Sequence, residues 1–309
     1  MKLDPKQTAF GRHETFPLRY AWLTKGCAAV IDQPDIFSHP DRAMVVLGVG
    51  RNMVSAIQYW LQAARLIEFT EGQGVPTDLC EVLLGADGDP YLEDEATLWM
   101  LHWLIASNTE LATGFFWFFN RFAMPRFQEP EVRAGMTDFT VQELGIERSQ
   151  STLKSDVTTL LRMYTPASDK DEDHLDSPLG QLRLIESDTK AHSYRSLRTT
   201  RPFLPAVALH FALAERFADE PEQPALPVRL MLYGGDDRAA PGAVFAPARK
   251  CSRHGPWPAE PVSSSRSTRS VNQTGWGNSA RPWSLDRSMG GGLKVHTANQ
   301  ARTPGWLPA

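Results

Sequence analysis

Between residues 51 and 69, RNMVSAIQYWLQAARLIEF, the apolar side chains fall at Met53, Val54, Ile57, Trp60, Leu61, Ala64 and Ile67. The polar ones fall at Arg51, Ser55, Gln58, Gln62 and Arg65, spaced four, three, four and three apart. That spacing predicts an amphipathic helix with one face in a core and the other in solvent. Just before it, GVG reads as a tight turn, since glycine reaches positive φ at little cost. DIFSHPDRAMVVLG, earlier still, predicts a helix opened by Ser38 or Asp41. EGQGVPTD after it reads as a hairpin. Helix, glycine turn, helix and hairpin together outline a winged helix-turn-helix.

Residues 96–124 are the most apolar part of the chain and predict two helices with a break near Ser107 and Asn108. Leu98, Leu101, Ile105, Phe115, Trp117, Phe118 and Phe122 should form the central core, and Asp94 or Asp87 could cap the first helix. A second helix-turn-helix outline spans 137–164. DFTVQELG is its first helix, IERSQ its turn, and STLKSDVTTLLRMY its second helix, which Pro166 stops. Leu153, Val157, Leu160, Leu161 and Tyr164 are its expected buried side, and Thr152, Ser155, Thr159 and Arg162 its exposed stripe. A third small unit at 178–234 should hold the helix LPAVALHFALAERFAD and a strand or short helix at LPVRLMLYG. The fold class is therefore mainly α: tandem winged helix-turn-helix-like units around an aromatic-rich helical core, with few short strands. Three parts follow: 1–95 (N-terminal arm and first unit), 96–245 (helical core, second helix-turn-helix and small C-terminal unit) and 246–309 (irregular tail).

The tail alters the charge picture. The chain of 309 residues has net charge −4, yet from Arg249 onward nine Lys/Arg stand against two acids. The preceding body is thus strongly acidic, which argues against non-specific nucleic-acid binding over its whole surface but leaves room for a local basic groove. The tail is rich in Ser, Arg, Gly and Pro and has almost no aliphatic periodicity, although it holds four of the nine tryptophans. A natural basic tail that touches nucleic acid and an out-of-frame translation both account for it. No apolar run approaches the roughly 18 residues that span a bilayer, and MKLDPKQTAF lacks a secretory apolar region. Cys27, Cys80 and Cys251 form no C-x-x-C pair, which fits a reducing cytoplasm.

Two stripes and one arm are candidates for chemistry. Arg51 and Asn52 begin the first recognition helix, where side chains of a docked helix meet bases and phosphates. Gln58 and Gln62 suit adenine edges and Arg65 a phosphate, with Ser55 and Tyr59 on the same helix. Lys154 and Arg162 mark a weaker stripe on the second. Either stripe could equally be a solvated helix face. In FGRHETFPLRYAWLTKG, residues 10–26, His13 could act as a general base and Glu14 polarise a water. Arg12, Arg19 and Lys25 could clamp a phosphate. Phe16-Pro17 bars a helix, so His13 and Glu14 should point apart. Arg19, Tyr20, Trp22 and Lys25 could begin the next helix. The competing account is an ordered arm whose His and Glu satisfy buried backbone groups. Asp87, Asp89, Glu93, Asp94 and Glu95 could hold Mg²⁺, or simply match a helix dipole. His102, on an apolar helix, reads as a core histidine.

HETFPLRYAWLTKG, LGVGRNMVSAIQYWLQAARLIE, DPYLEDEATLWMLHWLIASN and STLKSDVTTLLRMY, in that order, resemble a bacterial domain-of-unknown-function family of DNA phosphorothioation clusters, the SspB-like DNA-nicking component. The resemblance covers about residues 10–245 and departs after PGAVF. It implies a cytoplasmic DNA-nicking endonuclease in backbone phosphorothioation and phage defence, or a DNA-binding adaptor without catalysis. It further implies double-stranded DNA, a cysteine desulfurase, a reductase-like sulfur-transfer protein and an ATPase as partners, with no membrane. Under it, His13, Glu14, Arg19 and Tyr20 are the candidate catalytic group. Lys25, Arg51, Asn52, Ser55, Gln58, Tyr59, Gln62, Lys154 and Arg162 are the candidate DNA contacts, and Mg²⁺ or Mn²⁺ the candidate cofactor.

Overall fold

Pro17 closes a turn-rich arm, and Arg19, in extended backbone, starts α1 (Tyr20–Asp32). Two short helical elements follow, the 3₁₀ turn Ile36–Ser38 and α2 (Pro40–Leu47). Neither Ser38 nor Asp41 caps α2, because Pro40, with no N–H to satisfy, already fills its first turn. Ser38 instead donates its hydroxyl to Gly72 O at 2.9 Å, fastening the later hairpin. Gly48, at φ +67°, closes α2, and α3 (Arg51–Ala63) begins after Gly50. Strands β1 (Ile67–Thr70) and β2 (Gln73–Pro76) pair antiparallel, with Thr70 opposite Gln73. Their two-residue turn has positive φ at both Glu71 and Gly72, the geometry that matches the right-handed twist of a hairpin. The computed structural model describes residues 1–166, 177–197, 201, 203–220, 225–235 and 237–245. The expectations for 246–309 lie outside these.

After α4 (Asp78–Leu84), α5 (Glu95–Ala106) and α6 (Thr113–Asn120) carry the apolar run, broken at Ser107 and Asn108 as the sequence indicates. Asp94 caps α5 by accepting the Ala96 N–H at 2.8 Å. Every residue of α5 from Thr97 to Ala106 is buried, and all seven core residues named from sequence are buried. The aromatic side chains pack mostly edge to face: Phe115 meets Trp60, and Phe119 meets His102 and Tyr164.

The second helical pair differs from its outline. Its first helix, α7 (Glu129–Asp138), starts eight residues before Thr137, where Gln128 and Glu131 form a reciprocal capping box. The stretch read as the helix itself continues as a wide π-turn, Phe139–Glu143. Then α8 (Gln150–Tyr164) is capped by Ser149 Oγ, which accepts the Thr152 N–H at 3.1 Å. A short 3₁₀ helix (Pro178–Leu182) leads to β4 (Ile185–Asp188) and β5 (Ser193–Ser196). These are not a separate unit, because β5 also pairs with β3 (Arg126–Phe127), which precedes α7. Beyond them, α9 (Ala206–Ala218) packs on α5, LPVRLMLYG resolves as helix α10 (Val228–Tyr233), and α11 (Pro241–Val244) follows.

Met1–Lys250 forms one compact unit. Within it, the Asn108 amide donates to Ala63 O at 3.0 Å and Arg65 grips Glu215, so contacts cross the boundary expected at 95/96.

Candidate functional site

The arm that precedes α1 is pinned. Gly11 has φ +71° and sits against the methyl of Thr152 on α8. Its N–H donates to both carboxylate oxygens of Asp156, at 3.0 and 3.1 Å. His13, 0% exposed, donates from Nε2 to Asp156 Oδ1 at 2.9 Å. Its Nδ1 accepts the Thr15 N–H at 3.1 Å and faces the Thr159 hydroxyl at 3.3 Å. These partners assign the proton to Nε2. The ring stacks on Trp60, with centroids 6.2 Å apart, and Trp60 Nε1 in turn donates to Phe16 O.

The result is a bent knuckle. Glu14 at φ +50° and Thr15 at φ +67° are successive non-glycine residues in the left-handed region, and a β-branched residue there is a true outlier. Such conformations cost on the order of 1–3 kcal/mol each and persist only where their surroundings impose them. Here the imposing groups are His13, Asp156 and Trp60. As expected from Phe16-Pro17, His13 and Glu14 point apart: His13 is buried, whereas Glu14 and its neighbour Arg12 are exposed. Arg148, also exposed, lies over the Phe10 ring at 5.8 Å from its centroid. The knuckle and the entry to α8 thus present two guanidiniums, Arg12 and Arg148, and two carboxylates, Glu14 and Glu147, to solvent.

Most other candidates lie elsewhere. Arg19 covers Trp22, and Tyr20 takes a hydrogen bond from Gln181. Lys25 is exposed on α1. Tyr59 is buried and gives its hydroxyl to Leu111 O at 3.1 Å, which removes it from the surface read for DNA contact. Burial, reinforced by the Asp156 charge and opposed by Arg12, pushes its phenol pKa up. Arg51, Asn52 and Ser55 are exposed on the first turns of α3, and Gln58 and Gln62 are half-buried. Arg51 meets Asp41 at 2.5 Å in an exposed ion pair. Arg65 does not continue the stripe. It lies beyond the helix at φ +57° and is bound by Glu215 (2.9 and 3.1 Å) and Ser107 (2.8 Å). On α8, Lys154 is exposed, Arg162 half-buried, and Thr159, expected outside, is buried against His13.

The arm and the start of α3 do not converge into one site. His13 rests on Trp60, nine residues along α3 from Arg51, or about 13 Å at 1.5 Å per residue. The acidic run is occupied by backbone: Asp89 accepts from Glu93 and Asp94 N–H at 2.9 and 2.8 Å. Among the described residues no three His, Cys, Asp or Glu side chains gather as a metal cage. His102 is a core histidine as read, bonded to Tyr164 Oη at 2.8 Å and Val244 O at 3.0 Å, and burial holds its pKa down at about 4. Sequence reasoning missed Asp156 and Thr159 as partners of His13. Their only signal was a lone acid on the apolar side of a helix. It also missed that the Cys27 and Cys80 thiols, on α1 and α4, are both buried.

A helical protein with an aromatic core and a pinned, strained arm on its surface is the class these features define. The chain belongs to the family described as "Protein of unknown function (DUF4007)", whose model matches residues 10–250. It is similar to two solved structures. One is a magnesium ion-bound SspB crystal structure, 27% identical, covering 79% of this chain and 75% of that one with a TM-score of 0.70. The other is an SspB crystal structure, 28% identical over 77% and 74% with a TM-score of 0.66. No curated protein matches the chain.

Proposed function

We propose that the protein is a DNA-binding, strand-nicking component of a backbone phosphorothioation system, and that the knuckle is where it meets the sugar-phosphate strand. The observation that carries this reading is the strain at Glu14 and Thr15, held in place by a buried His–Asp pair that displays Arg12 and Glu14 to solvent. Strain concentrated in an exposed, charged turn is a hallmark of pre-organised sites. The similarity to SspB structures supports placing it in that system. The succession of α2, glycine turn, α3 and hairpin supports a winged helix-turn-helix that positions duplex DNA.

In this reading Arg12 and Arg148 neutralise phosphate oxygens, each as a bidentate fork. Glu14 takes a proton from water as the water oxygen bonds to phosphorus, the bond from phosphorus to one sugar oxygen breaks, and that oxygen takes a proton from solvent to leave as a hydroxyl, completing the nick. His13 is a positioning residue, since neither ring nitrogen faces solvent. One similar SspB structure holds magnesium. Among the described residues of this chain no three His, Cys, Asp or Glu side chains gather to hold such an ion.

A second reading, a DNA-binding adaptor without catalysis that recruits sulfur-transfer partners, is favoured by one observation: the only histidine of the arm is sealed in the interior. Relaxation of supercoiled plasmid by highly pure protein, with and without Mg²⁺ or Mn²⁺, separates the two. Nicking that disappears in Glu14→Gln supports the first. Retarded DNA with no nicking supports the adaptor.

A further inference from the structure

The end of α2 and the turn into α3 expose aliphatic side chains where a helix terminus ordinarily carries polar ones. Val45 is 82% exposed and Val46 50%. Val45, with Met44, Val49 and Met53, borders an open depression of about 580 Å³ whose other walls are Asp41, Gly48 and Gly50. Open space surrounds Gly48 and Gly50, with no atom within 4 Å of where a side chain would begin, so another molecule can approach the backbone closely. The same stretch of chain, α2 and the first turns of α3, exposes Arg42, Arg51, Asn52 and Ser55, and Asp41 is paired with Arg51.

We infer that this turn reads thymine methyl groups in the major groove of DNA. The inference rests on the DNA-binding reading above and adds what the protein recognises. An A·T pair shows a major-groove reader an acceptor and a donor on adenine and, on thymine, an acceptor and a C5-methyl. Asn52 supplies the donor and acceptor that pair with adenine, and the valine methyls supply the apolar contact for thymine. A protein-docking patch would shed charge from its centre. Here guanidiniums bracket the valines: Arg42 lies one helical turn before Val46 on α2, and Arg51 opens α3 just after the glycine turn. That mixture of methyl and cation suits a groove bounded by phosphates.

The test compares 24-base-pair duplexes built from A·T, from A·U (which lacks only the methyl) and from G·C, binding to the full chain at 100 mM salt. Burying one methyl changes affinity about fourfold, so A·T should bind at least fourfold more tightly than A·U. Val45→Ala with Val46→Ala should bring the ratio of A·T to A·U affinity, measured within the variant, to about one. Both side chains are exposed, so folding, checked by circular dichroism, should not suffer. Equal affinity for A·T and A·U overturns this inference and leaves the DNA reading intact, as does a valine variant that keeps the preference. No binding to any duplex overturns both. Loss of self-association in the valine variant, with no change in DNA binding, would assign the patch to a second copy and overturn the inference.

Discussion

Replacing Asp156 with asparagine probes how the knuckle is held. The carboxylate accepts from His13 Nε2 at 2.9 Å and from Gly11 N at 3.0 and 3.1 Å, and is 4% exposed. Asparagine keeps one acceptor and turns the other into a donor facing a donor. One hydrogen bond to a charged group is lost, about 1.5–3 kcal/mol. The left-handed residues Glu14 and Thr15 store on the order of 1–3 kcal/mol each, and release of part of that strain offsets the loss. Asp156→Asn should therefore lower global stability by only about 2 kcal/mol, read as a shifted urea midpoint of tryptophan fluorescence. The larger effect should be local. The Thr15 amide, now bonded to His13 Nδ1, should lose its protection from hydrogen exchange well before global unfolding. Unchanged protection at Thr15, or a change equal to that of the core amides of α5, would refute the idea that Asp156 enforces the bend.

Two further outcomes follow from the packing. His102 has a folded pKa of about 4 against an ordinary 6.5, so the unfolded chain binds a proton that the folded chain refuses as pH falls through this window. Its stabilisation is complete above pH 6.5 and lost progressively toward pH 4, about 2 kcal/mol by pH 5. Urea titrations at pH 7.5 and 5 should show that difference, and His102→Gln should lack it; an equal slope in the variant would assign the effect to other groups. Gly26→Ala should cost about 1–3 kcal/mol, because its Cβ would lie 2.7 Å from Leu61 Cδ1 and 2.9 Å from Ile57 Cγ2, forcing α1 from α3. A variant as stable as the parent would show that the two helices can part freely.

The sequence made the helices legible where periodicity was strong. The start of α3 and the break between α5 and α6 are where spacing and turn residues put them, whereas α3 stops at Ala63 and the first hairpin strand, Ile67–Thr70, takes residues whose spacing reads as the end of that helix. The start of α7 was hidden because Glu129 and Pro130 look like loop chemistry until the Gln128–Glu131 box is formed. The β3–β5 pairing joins residues nearly 70 positions apart and leaves no local trace. At the candidate site, Phe16-Pro17 correctly separated His13 from Glu14. The partner of His13 could not be read, because Asp156 lies 143 positions away on a helix whose apolar periodicity it interrupts by a single residue. Arg65 was misplaced for a related reason: the helix ends two residues earlier, and Glu215 turns its guanidinium inward.

The most direct test of the account is the salt dependence of duplex DNA binding by the wild type and by Arg12→Ala. If Arg12 on the knuckle contacts one phosphate, the slope of log affinity against log salt should fall in magnitude by about 0.9 in the variant. An identical slope in the two proteins would remove the DNA strand from the knuckle and contradict the account.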